Sequence, residues 1–236
     1  MLARWLQRQW FDQRRLTPAL WLLLPLVWIY GLLRTLNRRL ARPRRLPVPV
    51  IVVGNIIVGG AGKTPLTLWL AQQLKARGWR PGIISRGYGR SGDSVIAVHA
   101  DSLPSEVGDE PLLLARRSGV PVHVGRQRAD AGAALLAAHP DVDILLCDDG
   151  LQHHALARDV ELVVFDARGA GNGWCLPLGP LREPLTRLAT VDAVVGNGFQ
   201  VDFPAAPPTF AMHLQAGRFY RLGDPQQTCA ADDLRG

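Results

Sequence analysis

The residues with the clearest chemical potential lie at Gly59-Gly60-Ala61-Gly62-Lys63-Thr64, inside the stretch VPVIVVGNIIVGGAGKTPLTLWLAQQL. A loop that binds phosphate needs backbone N–H groups turned inward, a helix N-terminus behind them and a lysine that reaches the β and γ phosphates. Gly59, Gly60 and Gly62 supply the backbone freedom, Lys63 the charge and Thr64 a hydroxyl for Mg²⁺. The strict pattern asks for another glycine five residues before Gly62, and Ile57 stands there. The lysine carries weight because Lys63 and Lys75 are the only two lysines, against 25 arginines.

A second constellation is Asp148-Asp149, closing the apolar run VDILLCDD. A carboxylate at the end of a buried strand holds Mg²⁺ opposite the loop threonine in nucleotide-binding proteins of this kind. Together the two segments specify a Mg-nucleotide site. The three cysteines are widely spaced, with no CxxC pair, and read as thiols in a reducing compartment.

These residues need elements to hold them, and from Leu46 onward the sequence alternates strand-like and helix-like segments. VPVIVVG, PGIISRG, SVIAVHA, VPVHV, VDILLCDD, VELVVFDA and VDAVVGN read as strands. Thr64–Arg77, Asp109–Ser118 and Gln127–Ala138 read as helices, and residues 169–184 as a Gly- and Pro-rich loop. TFAMHL and GRFYRL read as two short strands after a Pro-rich stretch. The alternation predicts an α/β fold with a mostly parallel sheet covered by helices on both faces, of the P-loop NTPase type.

The N-terminus has a different character. Residues 1–49 hold ten Arg and one Asp, a charge of +9, whereas residues 50–236 hold 17 basic and 19 acidic residues, a charge of −2. The basic excess is therefore local and borders an uncharged run of 18 residues, Leu16–Leu33. Arg14 and Arg15 precede the run, and Arg34, Arg38, Arg39, Arg42, Arg44 and Arg45 follow it. A helix of that length, about 27 Å at 1.5 Å per residue, approaches the roughly 30 Å of a bilayer core. This predicts a membrane-associated helix over residues 1–45 and an anionic lipid surface, rather than nucleic acid, as the basic segment's partner. Pro18 and Pro25 would kink a soluble helix but are tolerated in membranes. The arginine excess after the run puts the following domain on the cytoplasmic side.

Five motifs narrow the reaction. GNIIVGGAGKTP, SRGYGR, VGDEPLLLA, DDGLQHH and PLGPLREPL stand in the order found in the tetraacyldisaccharide 4′-kinase family, which the chain resembles from about Arg14 to its end. The resemblance implies phosphoryl transfer from ATP, with Mg²⁺, to the 4′-hydroxyl of a tetraacylated glucosamine disaccharide 1-phosphate, in lipid A biosynthesis at the cytoplasmic face of an inner membrane. It implies that Lys63 and Thr64 serve the ATP phosphates and Mg²⁺, that Asp148 is the metal carboxylate, and that Asp109 is the general base. It implies that Arg128 meets transition-state charge and that Tyr88, Asp149, Gln152, His153 and Glu183 line the path to the sugar headgroup. It implies lipid A disaccharide and membrane lipids as partners, without a protein partner. Taken alone, Asp109 reads as a helix N-cap and His153 as an ordinary histidine.

The family resembled also has a C-terminal lobe carrying a histidine that partners the base. The sequence therefore divides into residues 1–45, a P-loop core over 46–205, and a strand linker over 206–236 leading toward a missing lobe, so the chain is expected to be a catalytically impaired fragment. The competing class is a P-loop ATPase or GTPase acting on a membrane protein partner. Its base-recognition tetrapeptide has no counterpart: Gly196-Asn197-Gly198-Phe199 lacks the required Lys and Asp.

Overall fold

A computed structural model describes residues 2–11, 17–203, 207–215, 219–221, 224–230 and 233. Arg14, Arg15 and Leu16 of the N-terminal reading lie outside the described residues.

Strands β1 (Val50–Gly54), β2 (Pro81–Ser85), β3 (Ile96–Val98), β4 (Val122–Val124), β5 (Ile144–Asp148), β6 (Val160–Asp166), β7 (Ala193–Asn197) and β8 (Thr209–Met212) form one sheet in the order β3-β4-β2-β5-β1-β6-β7-β8. All neighbours pair in parallel except β3 with β4. β9 (Phe219–Arg221) and β10 (Asp224–Cys229) make a separate antiparallel pair. β2 and β5 are buried at every position, as continuous apolar strands covered on both faces should be.

Side chains alternate across the sheet. Ile83 and Leu146 pack with helices α3 (Lys63–Ala76) and α5 (Asp109–Ser118), while Ile84, Leu145 and Cys147 pack with α6 (Arg128–Ala138). The parallel core and its three helices agree with the sequence reading to within two residues at most ends. A one-turn helix α4 (Pro104–Val107), a 3-10 helix over Leu185–Thr190 and strand β10 carry too few residues to show a period. β8 lies beyond residue 205, yet it extends the main sheet by pairing Thr209 to Met212 with Val194 to Asn197.

The N-terminal segment starts with α1 (Leu2–Phe11). The uncharged run then divides into a 3-10 helix, Pro18–Leu23, and α2, Leu24–Leu40. The two prolines cause the division without kinking either piece. Each sits in the first turn of its element, where a missing N–H costs nothing. α2 runs on through Arg34, Arg38 and Arg39, and the last two sit in its final turn, where the helix dipole favours cations. Leu20–Leu40 is a helical stretch of 21 residues containing an 18-residue window of mean hydropathy 1.4, of which 6% is buried, enough to cross a membrane by length and composition.

One edge of this segment is fixed to the core. Tyr30 Oη donates to the Arg182 carbonyl at 2.9 Å, and Trp21 meets Trp174 edge-on with centroids 5.7 Å apart. Trp10 Nε1 donates to the Pro177 carbonyl at 3.2 Å. The remaining face stays bare: Trp28 is 74% and Leu32 68% exposed.

Candidate active site

Lys63, Thr64, Asp148 and Asp149 meet at the carboxyl ends of the parallel strands, where ligands bind in open α/β sheets. β1 runs into the glycine loop, and Gly62 ends that loop as the N-cap of α3 with φ of 97°. A Cβ at Gly62 would lie 2.7 Å from Asn197 Nδ2, so both the backbone angle and the space require glycine.

Ile57 explains its own departure from the pattern. Its side chain is fully buried and its backbone forms a bridge to Leu181. Its φ is not positive, so no glycine is needed there. On either side of it, Arg182 N–H donates to the Ile56 carbonyl at 2.7 Å and Val58 N–H to the Pro180 carbonyl at 2.9 Å.

The glycine portion is oriented by side chains from three other places. Asn55 Nδ2 donates to the Gly59 carbonyl at 3.0 Å, Arg168 to the Gly60 carbonyl at 2.8 Å and Asn197 Nδ2 to the Ala61 carbonyl at 3.3 Å. In a planar trans peptide the N–H points opposite to its carbonyl. The N–H groups of Gly60, Ala61 and Gly62 therefore face away from these three donors, and among the described residues none has a hydrogen-bond acceptor. That is the electrostatic requirement of a phosphate cradle. Asn55, Arg168 and Asn197 leave no spacing signature in the sequence, although each lies within two residues of the end of a parallel strand.

Asp148 lies behind the loop, with no exposed surface. Its Oδ1 is 3.0 Å from the Thr67 hydroxyl and its Oδ2 3.3 Å from the Thr64 hydroxyl. Burial pushes its carboxyl up to about 6 against the pull of the Thr67 hydrogen bond; Glu110 and Asp149 add to the rise and Lys63 opposes it. A cation at this point reverses that shift. Hydroxyl and carboxylate oxygens at one spot suit Mg²⁺, which binds few protein groups and takes its remaining ligands from phosphate and water. Consistent with so sparse a protein share, the described residues contain no cluster of three or more His, Cys, Asp or Glu placed to hold a metal.

Asp149 joins the loop to the acceptor side. It has φ of 50°, and its Oδ1 lies 3.6 Å from Lys63 Nζ and 3.5 Å from Arg182. Beyond it opens a cleft of about 480 Å³, lined by Ser85, Arg86, Tyr88, Glu110, Arg126, Gln127, Arg128, Asp149, Gln152, His153, His154, Ala155 and Arg182, and closed by Asn37, Leu40 and Ala41 at the end of α2. The cleft is rich in cations, as an anionic acceptor requires.

The expected residues take distinct places around it. Tyr88 stands at the rim, 82% exposed. Gln152 Nε2 donates to the Asn55 carbonyl at 3.0 Å and to Glu183 Oε1 at 2.9 Å. Glu183 itself is 3% exposed and faces Arg187, so it stands behind Gln152 and outside the cleft lining. Arg128 is 6% exposed; its NH1 donates to the Arg126 carbonyl and its NH2 to the Asp149 carbonyl at 3.3 Å. His153 Nε2 accepts the Arg128 backbone N–H at 3.3 Å. Burial first, then the charges of Arg128, Arg158, His154 and Arg86, holds His153 down to about 4, so its ring is neutral near pH 7.

Asp109 is the first residue of α5, and the cap position belongs to Gly108, which makes no side-chain cap bond. The capping explanation for Asp109 therefore fails. Its side chain is exposed and has no hydrogen-bond partner among the described residues. Its neighbour Glu110, unmarked by sequence pattern, lines the cleft and acts electrostatically on Asp148.

A glycine loop with its Lys and Thr, a buried strand-end aspartate behind it and a basic cleft beside it define a P-loop phosphotransferase. The family model for tetraacyldisaccharide-1-P 4′-kinase matches residues 19–235. The chain is 73% identical over 236 residues to the tetraacyldisaccharide 4′-kinase of Dechloromonas aromatica, covering 100% of this chain and 71% of that protein. It is 58% identical over 202 residues to the enzyme of that name from Acidovorax sp. strain JS42, covering 84% of this chain and 58% of the relative. Among solved structures it resembles LpxK from Aquifex aeolicus in complex with ATP, with TM-score 0.73 and 31% identity, covering 92% of this chain and 71% of that one. The chain belongs to the tetraacyldisaccharide-1-P 4′-kinase family, and it spans 58% to 71% of the length of these relatives.

Proposed function

We propose that the chain transfers the γ-phosphoryl group of ATP to the 4′-hydroxyl of a tetraacylated disaccharide 1-phosphate at the cytoplasmic surface of the inner membrane. The observation that carries this reading is the contact at Asp149: the phosphate-loop lysine and the basic cleft touch the same carboxylate, and the end of α2 closes that cleft. Nucleotide phosphates, acceptor headgroup and apolar helix are contiguous. A substrate with four acyl chains stays in the bilayer, so its kinase has to work there. The bare apolar face of α2 and the arginines that follow it give the two signals that stable attachment takes.

In the mechanism, the loop N–H groups and Lys63 hold the β and γ phosphates, and Thr64 and Asp148 are the residues that would hold Mg²⁺. When bound, Mg²⁺ neutralises charge across the two phosphates. The sugar 4′-oxygen forms a bond to the γ-phosphorus as the bond to the β–γ bridging oxygen breaks and ADP leaves. The hydroxyl proton passes to the Asp109 carboxylate. Arg128 offsets charge on the transferring group, while Tyr88, Gln152 and His153 orient the headgroup. Glu183 acts one step back, by fixing Gln152. Residues 1–45 provide the membrane contact and 46–205 the P-loop core, while of the linker over 206–236 the first strand, β8, joins the core sheet.

Transfer of labelled phosphate from ATP to the lipid disaccharide 1-phosphate in detergent micelles tests this. Label at the 4′ position that disappears in Lys63→Ala is the expected result. Label appearing on a membrane protein, with none on the lipid, would overturn it.

A further inference from the structure

Arg168 is absent from the transfer mechanism, yet its guanidinium has three partners. It donates to the Gly60 carbonyl at 2.8 Å. It grips the Asp166 carboxylate through Nε at 3.0 Å and NH2 at 2.6 Å. Its Cζ stands 4.9 Å from the ring centroid of Phe11, the last residue of α1. The arginine also fits closely against the loop, since a Cβ at Gly59 would lie 3.3 Å from its NH1.

The far end of this contact is equally well fixed. Asn172 N–H donates to the Trp10 carbonyl at 2.8 Å, and a Cβ at Gly171 would fall 2.5 Å from that same oxygen. The end of α1 is thus seated on the segment that follows Arg168 directly in the chain.

We propose that Arg168 is a positioning residue of the phosphate loop and that α1, through Phe11, fixes where its guanidinium sits. The proposal rests on the reading of this loop as the ATP-phosphate site. The Gly60–Ala61 peptide follows two glycines and can rotate at small cost. Turned over, it would present a carbonyl to the phosphates in place of an N–H. The Arg168 bond holds the binding-competent orientation, and Asp166 keeps the guanidinium from reaching for the phosphates itself. Apparent affinity falls in proportion to the fraction of loops that are competent. A cation over an aromatic face is attracted to it, so Phe11 restricts the arginine further. Nucleotide affinity then depends on how the N-terminal segment is seated, a dependence the mechanism alone does not require.

The test uses the full chain with Mg²⁺ and two probes, ATP and inorganic tripolyphosphate, in titration calorimetry. Arg168→Met should weaken both by about tenfold, with an unchanged thermal midpoint. Arg168→Lys should recover to within about threefold of the original, because an ammonium can still donate to Gly60. Phe11→Leu should weaken both probes by about threefold. In the nucleotide-free protein, the carbon-13 resonance of the Gly60 carbonyl should move upfield in Arg168→Met, because that oxygen loses its donor. Unchanged tripolyphosphate affinity in Arg168→Met, where Lys63→Ala loses it, overturns the inference while the nucleotide site stands. Unchanged affinity in Lys63→Ala overturns the nucleotide site and the inference with it. Weaker binding with the Gly60 carbonyl resonance unmoved also overturns it, by making Arg168 a direct phosphate ligand. If Arg168→Met does not fold, Phe11→Leu decides, and unchanged affinity there refutes the link to α1.

Discussion

Replacing Arg187 by Met should destabilise the fold more than any single change on the open face of the cleft. Arg187 is 5% exposed and stands between two buried carboxylates. Its NH2 meets Glu161 Oε2 at 2.5 Å, and its Nε lies 3.3 Å from Glu183 Oε2. The second contact is a charge pair without hydrogen-bond direction, because Nε has no hydrogen-bond acceptor. Met keeps most of the apolar stem, so little packing is lost and the electrostatic loss dominates. Arg158 still neutralises Glu161 at 3.1 Å, whereas Glu183, with only 4% of its side chain exposed, is left among the described residues with the Gln152 amide alone. Removing one partner of a buried ion pair costs about 3–5 kcal/mol. With a urea slope of about 3 kcal/mol/M, the unfolding midpoint should fall by about 1–1.7 M. Urea titration by tryptophan fluorescence measures the shift. Adding Glu183→Gln to Arg187→Met should return more than about 1 kcal/mol, because the unpaired charge is then gone. A midpoint shift under about 0.3 M, or a double variant no better than the single one, would refute the reasoning.

Three further outcomes follow from the site. Asp109→Asn should cut turnover strongly while ATP affinity holds, whereas Asp148→Asn should change the Mg²⁺ dependence of transfer; weaker Mg-ATP binding with intact turnover in Asp109→Asn would remove its role as base. His153 is held at about 4, below its ordinary range, so between about pH 6.5 and 4 the unfolded chain binds the extra proton and stability falls with pH. His153→Gln should flatten that fall, as read from urea midpoints at pH 7.5 and 5, and an unchanged slope would show that other groups cause it. Removing residues 1–33 should move the protein from the membrane to the soluble fraction, and an undiminished membrane fraction would assign attachment to another surface.

Much of this architecture is legible in the sequence because parallel strands buried on both faces must be written as apolar runs. VDILLCDD and PGIISRG therefore gave β5 and β2 with little ambiguity, and the glycine loop fell between a strand and a helix where it belonged. Legibility fails where structure depends on partners far apart in the chain. Glu161, Glu183 and Arg187 form one buried charge cluster, yet each alone is an ordinary polar residue. The pairing of β8 with β7 is likewise invisible, since TFAMHL states a strand but not its neighbour. The two prolines of the N-terminal run were legible as residues and misleading as kinks, because their effect depends on where each helix begins. Asp109 shows the opposite lesson: the local cap explanation was sound chemistry, and only the position of Gly108 removes it.

The buried isoleucine at position 57 has a consequence for how such loops are recognised. A strict glycine signature records one way of fitting backbone around phosphate, in which the rear of the loop must bend tightly. Here the rear is riveted to the polypeptide around Leu181, and the left-handed backbone angles of the loop fall only at Gly59 and Gly62, within the four residues before Lys63. Pattern searches keyed to that first glycine pass over the site, although its working half is complete. A glycine at 57 would keep these backbone bonds and lose only the buried side chain that packs behind them.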